Sequence, residues 1–253
     1  MIKTLLKNIL HKSGLRVISH KQQIYNEIVG NELEEEFIEI YKKCRPYTLT
    51  SVERMYAAYK ATEYIISQNI TGAIVECGVW KGGSTMVMIY TLLARGITNR
   101  QIYLYDTFEG MSEPTTKDKT IDGESAFGTW KDSQTTQENT WCYSPLDEVQ
   151  KNILGTGYSP DNIKFVKGKV EDTIPGVIPD QVALLRLDTD WYDSTYHELL
   201  HLFPILSKNG VLIIDDYGHW QGAREAVDSY FKEKNVTMLL NRIDYTGRVG
   251  IKI

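Results

Sequence analysis

The stretch AIVECGVWKGGS at residues 73–84 opens with a short, β-favouring run and breaks on Gly78. A run of that kind suits a parallel strand buried on both faces. Gly82 and Gly83 then lead into an apolar segment, so 83–94 reads as a helix. Strand, glycine turn and helix N-terminus together form the first step of a β/α fold. Glycines there let the backbone approach a ligand closely, and the helix N-terminus favours negative charge. Gly78 and Gly82 stand four apart, so the spacing is not the G-x-G-x-x-G of a dinucleotide fingerprint.

The same alternation continues downstream. IYLYD (102–106), IKFVKG (163–168), VALLRLD (182–188) and VLIIDDY (211–217) are further strands. Helices fit 193–207 and 221–234, the first closed by Lys208, Asn209 and Gly210. VTMLLNRIDY and RVGIKI flank a Thr246–Gly247 turn and read as a hairpin. The pattern predicts an α/β fold of Rossmann type, with a doubly wound, mostly parallel seven-stranded sheet ending in an antiparallel hairpin. Upstream, 32–43 and 50–68 read as helices. Thr50 and Glu53 fit a capping box, and Met55, Ala58, Tyr59 and Thr62 would face the core.

Between Asp106 and Ile163 lies a polar insertion holding Phe127, Trp130, Trp141 and a helix near 145–154, capped by Ser144 with Pro145 at its first position. Above the carboxyl ends of strands, such an insertion reads as a lid or substrate wall. The expected organisation is one domain over 1–253. A helical extension and cap fill 1–69, and the core fills 70–253 with the lid insertion at about 107–162.

Of 253 residues, 42% are hydrophobic and 24% charged, which excludes collagen, a disulfide mini-protein and wholesale disorder. Asp and Glu number 33 against 28 Lys and Arg, and a net charge of −5 disfavours nucleic acid as a partner. No apolar run is long enough to span a bilayer, so stable membrane insertion is not expected. The N-terminus lacks a signal-peptide core, and Cys44, Cys77 and Cys142 read as reduced thiols of a cytoplasmic protein. The first 21 residues carry Lys3, Lys7, Lys12, Arg16 and Lys21 beside Ile2, Leu5, Leu6, Ile9 and Leu10. That basic amphipathic helix would either lie on an anionic membrane or dock on protein, its own domain or a second subunit of a homo-oligomer.

Acids mark the strand ends. Asp106 would accept the hydroxyls of an adenosine ribose, or else cap the turn at Thr107. Glu76 is unwelcome beside phosphates but suits a cofactor with a free amino group and a sulfonium, S-adenosylmethionine. Asp172 and Thr173 would reach an adenine edge or cap a turn. Asp188 ends the fourth strand and Asp215-Asp216 the fifth. On neighbouring strands about 4.8 Å apart these carboxylates converge and repel unless a cation is present. An all-oxygen set favours Mg²⁺, Mn²⁺ or Ca²⁺ over zinc. Asp190 and Asp193 read better as caps of the following helix.

ECGVWKGGS (76–84), YDTFEGM (105–111), VEDTIP (170–175), LRLDTDWYDST (185–195) and IIDDYGHWQGAREAVDSYF (213–231) together resemble the macrocin O-methyltransferase family, metal-dependent enzymes that methylate sugar hydroxyls in macrolide biosynthesis, with relatives in polysaccharide and other glycan pathways. The similarity runs from about Thr50 to Phe231. It implies a methyltransferase fold with S-adenosylmethionine as donor and Mg²⁺ on Asp188, Asp215 and Asp216, with Asp188 as general base. It also implies cofactor contacts at Val52, Glu53, Glu76, Cys77, Gly78, Val79, Trp80, Asp106, Asp172 and Thr173, and a sugar or sugar-conjugate acceptor. Metal coordination lowers the basicity of Asp188, so His219 is a rival base. Tyr47, Tyr192, Tyr217, Trp191 and Trp220 are candidates to stack on a sugar face, some of them being core. Asp188-Thr189-Asp190 is also a D-x-D, which leaves a metal-dependent glycosyltransferase as a rival, and a non-catalytic protein of the same fold as another.

Overall fold

A computed structural model describes residues 32–253. The basic N-terminal helix expected over the first 21 residues lies outside them. The elements in chain order are α1 (Glu35–Cys44), α2 (Val52–Ser67), β1 (Ala73–Cys77), α3 (Gly83–Ala94), β2 (Ile102–Asp106), α4 (Ala126–Asp132), α5 (Leu146–Leu154), β3 (Ile163–Lys167), α6 (Val170–Thr173), β4 (Val182–Leu187), α7 (Tyr192–Leu202), β5 (Leu206–Ile214), α8 (Gln221–Glu233), β6 (Asn241–Arg242) and β7 (Arg248–Ile251). The strands form one seven-stranded sheet in the order β3-β2-β1-β4-β5-β7-β6. The first five are parallel, while β7 pairs antiparallel with both β5 and β6.

Alternating residues of each strand feed two cores. Ile74, Ile102, Leu104, Ala183 and Ile213 pack under α1, α2 and α3 against Phe37, Met55, Ile65 and Leu92. Val75, Cys77, Leu185, Leu187, Leu212 and Ile214 pack on the other face with Leu199 and Leu202 of α7 and Val227 and Tyr230 of α8. Each such buried aliphatic side chain contributes about 1.5–3 kcal/mol, and burial on both faces is why β1 and β4 read as apolar runs broken only by Glu76 and Arg186. Met55, Ala58, Tyr59 and Thr62 face the core as their spacing predicts.

Local signals departed from expectation at four places. Ser51, not Thr50, caps α2, its Oγ accepting from Arg54 N at 3.2 Å. Thr50 Oγ1 instead accepts from the buried Arg186 at 3.3 Å, and Glu53 stays exposed. Helix α5 starts one residue later than predicted, with Pro145 as its N-cap, and Ser144 Oγ has no hydrogen-bond partner. Helix α7 ends at Leu202 rather than 207, because Pro204 cannot continue it. Lys208, Asn209 and Gly210 therefore belong to β5, where Asn209 takes φ +63° and donates its N–H to Lys252 O at 2.6 Å.

The insertion carries a further short helix, α4, that its composition did not announce. It is fastened by Asp118, a fully buried carboxylate. Oδ1 accepts from Tyr192 N at the start of α7 (2.8 Å), and Oδ2 accepts from the Thr115 amide (2.6 Å) and hydroxyl (2.8 Å). Met111 and Trp141 complete the attachment by packing against the aromatic pair Trp191 and Trp220.

Candidate active site

The carboxyl ends of β1, β2, β4 and β5 open into a cavity of about 240 Å³, roofed by the insertion. One end is made of backbone. Gly78 has φ +81°, and a Cβ there would stand 2.0 Å from the Asp188 carbonyl oxygen, so only glycine lets the β1 turn touch the end of β4. Asp106 Oδ2 accepts the amides of Val79 (2.7 Å) and Trp80 (3.1 Å), and Oδ1 accepts that of Phe108 (2.7 Å). Burial pushes this carboxyl up, opposed by the same three amides. Asp106 thus lines the cavity while bracing its wall, its carboxylate capping the turns that follow β1 and β2.

The other end is made of charge. Asp188, Asp215 and Asp216 bring carboxylate oxygens within 4.8 Å of one another. Two protein cations meet this trio, neither of them marked by a local sequence motif. Arg186, 2% exposed, donates to Asp215 Oδ1 (2.6 Å) and Glu76 Oε1 (2.7 Å) and pairs with Asp188 Oδ2 (2.8 Å). Arg54, from the first turn of α2, pairs with Asp215 and with Asp244. Burial still holds the Asp188 and Asp216 carboxyls well above the usual range, Arg186 working against it at Asp188. Asp216 Oδ2 is buried without any hydrogen-bond partner. An unpaired buried carboxylate oxygen beside two others is costly unless something positive meets it. The all-oxygen donor set therefore fits a hard divalent cation such as Mg²⁺.

Other predicted residues divide. Gly78, Val79 and Trp80 line the cavity. Glu76 and Cys77 do not; both are fully buried behind it. Glu76 is spent on Arg186 and the Thr85 hydroxyl, so it is a partner of the charged end rather than a ligand for a cofactor amine. Val52 packs into the core and Glu53 points to solvent, while Thr48, Leu49, Thr50 and Arg54 around them line the cavity. Asp172 is exposed and Thr173 Oγ1 donates to Lys169 O at 3.0 Å, leaving Gly168, Lys169, Val170 and Glu171 on the wall.

His219 lies off the cavity wall, its ring edge-on to Trp220 at 4.7 Å and to Tyr245 at 6.1 Å. Burial and the nearby Arg54 lower its pKa. Asp190 does not cap α7. Its Oδ1 accepts from Trp220 Nε1 at 2.7 Å, and burial beside Asp188 pushes its pKa up to about 8. Among the aromatic candidates only Tyr47 reaches the cavity. Trp191 and Trp220 are core, Tyr192 stacks on Tyr196, and Tyr217 donates to Asp228. Arg54, Arg186 and Asp118 went unremarked in the sequence. Arg186 alone left a trace, an arginine inside the apolar run VALLRL.

Comparison with known proteins gives the family of the chain. The family model of macrocin-O-methyltransferase (TylF) matches residues 11–249. The 8-demethyl-8-(2,3-dimethoxy-alpha-L-rhamnosyl)-tetracenomycin-C 4'-O-methyltransferase of Streptomyces olivaceus is 33% identical over 201 residues, covering 79% of this chain and 74% of its own. The demethyldecarbamoylnovobiocin O-methyltransferase of Streptomyces niveus is 28% identical over 98% of this chain and 89% of its own. The solved structure of the O-methyltransferase NovP superposes with a TM-score of 0.72 at 26% identity, covering 91% of this chain and 93% of that one. The family match sets aside the glycosyltransferase reading of the D-x-D. The chain belongs to the macrocin-O-methyltransferase family and is an S-adenosylmethionine-dependent O-methyltransferase.

Proposed function

We propose that this enzyme methylates a sugar hydroxyl of a natural-product or glycan conjugate and that it requires Mg²⁺. The observation that carries the metal requirement is the convergence of Asp188, Asp215 and Asp216, with Asp216 Oδ2 buried and unpartnered. The sugar acceptor is supported by the rhamnosyl conjugate named for the S. olivaceus relative.

In this reading the Gly78–Trp80 turn and the Gly168–Glu171 segment hold S-adenosylmethionine, Asp106 keeping the turn in shape. Asp188, Asp215 and Asp216 would hold Mg²⁺, which when bound lowers the pKa of a coordinated hydroxyl. Asp188 follows β4 beside Gly78, where the cofactor and acid ends of the cavity meet, and takes the hydroxyl proton as the oxygen attacks the methyl carbon, the methyl–sulfur bond breaking to release S-adenosylhomocysteine. Arg186 fixes the Asp188 carboxylate from behind, so the base is aligned before the acceptor arrives. The insertion, clamped through Asp118 and the tryptophan cluster, excludes water from the reacting atoms.

The test is methyl transfer from S-adenosylmethionine to a panel of glycosylated and nucleotide-linked sugars, with and without EDTA. EDTA is expected to abolish turnover and Mg²⁺ to restore it. Asp188→Asn is expected to lower kcat by about 10²–10⁴-fold, the contribution of a general base. Full activity in EDTA would remove the metal from the mechanism.

A further inference from the structure

Arg54 and Arg186 occupy the two oxygens of Asp215 but are held in different ways. Arg186 is enclosed and committed to Glu76, Asp188 and Asp215 together. Arg54 lines the cavity, is 13% exposed, and already has a second acid to rest on: its Nε donates to Asp244 Oδ2 at 3.0 Å while Nη1 meets Asp215. Asp244 is built to receive it. Its carboxylate is fixed on the turn before β7 by the amides of Thr246 (2.9 Å) and Gly247 (2.6 Å) and by Ser51 Oγ (2.7 Å), the cap of the helix that carries Arg54. The turn is tied to the acid trio as well, because Thr246 Oγ1 donates to Asp215 O at 2.7 Å.

A guanidinium on Asp215 and a divalent cation on the same carboxylate repel one another. We propose that Arg54 is an exchangeable counter-cation of the acid trio. It neutralises Asp215 when no divalent ion is bound, and when one enters it releases that oxygen to the cation and rests on Asp244 alone. The inference rests on the metal reading above and adds to it that metal affinity is set by competition with a residue of α2. It follows that a positive charge at Arg54 weakens metal binding while stabilising the metal-free protein.

Isothermal titration of Mn²⁺ into the cofactor-free chain tests this, with thermal unfolding of the same samples as a second readout. Arg54→Gln is expected to bind Mn²⁺ about tenfold tighter or more, to melt lower than wild type without metal, and to regain the difference on Mn²⁺ addition. Asp244→Asn keeps an acceptor for the turn amides but removes the resting place, so it is expected to bind Mn²⁺ more weakly. It tests the same exchange should Arg54→Gln fail to fold. Unchanged or weaker binding by Arg54→Gln, or unchanged or tighter binding by Asp244→Asn, overturns the exchange and leaves the metal site standing. Absence of Mn²⁺ binding by wild type and variants overturns the metal reading and this one together.

Discussion

The two ends of the cavity hold buried carboxylates by different means. At the glycine-turn end Asp106 is stabilised by backbone amides, partial charges whose positions follow from a turn that only glycine can make. At the chemical end Glu76, Asp188 and Asp215 are stabilised by full charges on Arg54 and Arg186, brought from two other elements. Amides cannot leave a turn, so the first arrangement is rigid. Arginines on a strand and a helix bind many acids at once, and losing one exposes several. The charged end should therefore be the more fragile.

The largest effect is expected from Arg186→Met, which keeps the side chain's bulk and removes the charge. It leaves Glu76 and Asp215 buried without their main partner, and breaking a buried pair costs about 3–5 kcal/mol. Chemical denaturation should show that loss, and adding Glu76→Gln should recover part of it by removing one orphaned acid. A single variant within about 1 kcal/mol of wild type would mean that the network is not what holds the strand ends together.

At the backbone end Asp106→Asn is the matching change. It retains a carbonyl oxygen for one set of amides but presents NH₂ to the others, and a hydrogen bond to a charged acceptor is worth about 1.5–3 kcal/mol. Stability should fall by about that much, less than for Arg186→Met, while S-adenosylmethionine binding by calorimetry weakens by about tenfold as the wall loosens. Intact cofactor affinity would show that the Val79–Trp80 turn keeps its shape without the carboxylate.

The same contrast explains what could be seen in the sequence. Strand and helix order was legible because both sheet faces are buried, which writes β1, β2 and β4 as apolar runs, and because glycines punctuate the turns. The acids were legible because Asp188 and Asp215-Asp216 sit where such runs stop. Their partners were not. Glu76 pairs with Arg186 because β1 and β4 lie in the register Glu76↔Arg186, and both project toward α2, on the face opposite Val75 and Leu187. Register and facing helix are set by the whole packed sheet, so Glu76 taken locally reads as a ligand and Arg54 carries no local signal. Asp118 was hidden for the same reason, since its partner Tyr192 is 74 residues away.

The smallest effect is expected at His219, and it separates the two candidate bases. The ring stands off the cavity wall against Trp220 and Tyr245, whereas Asp188 lies on that wall. His219→Ala should therefore leave kcat within about threefold, whereas loss of a true general base removes about 10²–10⁴-fold. A fall of that larger size would transfer the role from Asp188 to His219. The histidine should show itself in stability instead. Burial and Arg54 depress its folded-state pKa, so as pH drops through the ordinary histidine value near 6.5 the unfolded chain takes up a proton that the folded one resists. Wild-type stability then carries a penalty that grows below about pH 6.5 and is absent above it. His219→Ala should accordingly narrow the difference in Tm between pH 7 and pH 5. The acids titrate in both proteins and cancel in that comparison. A difference that stays the same would mean that His219 takes its proton as readily in the fold as in the open chain.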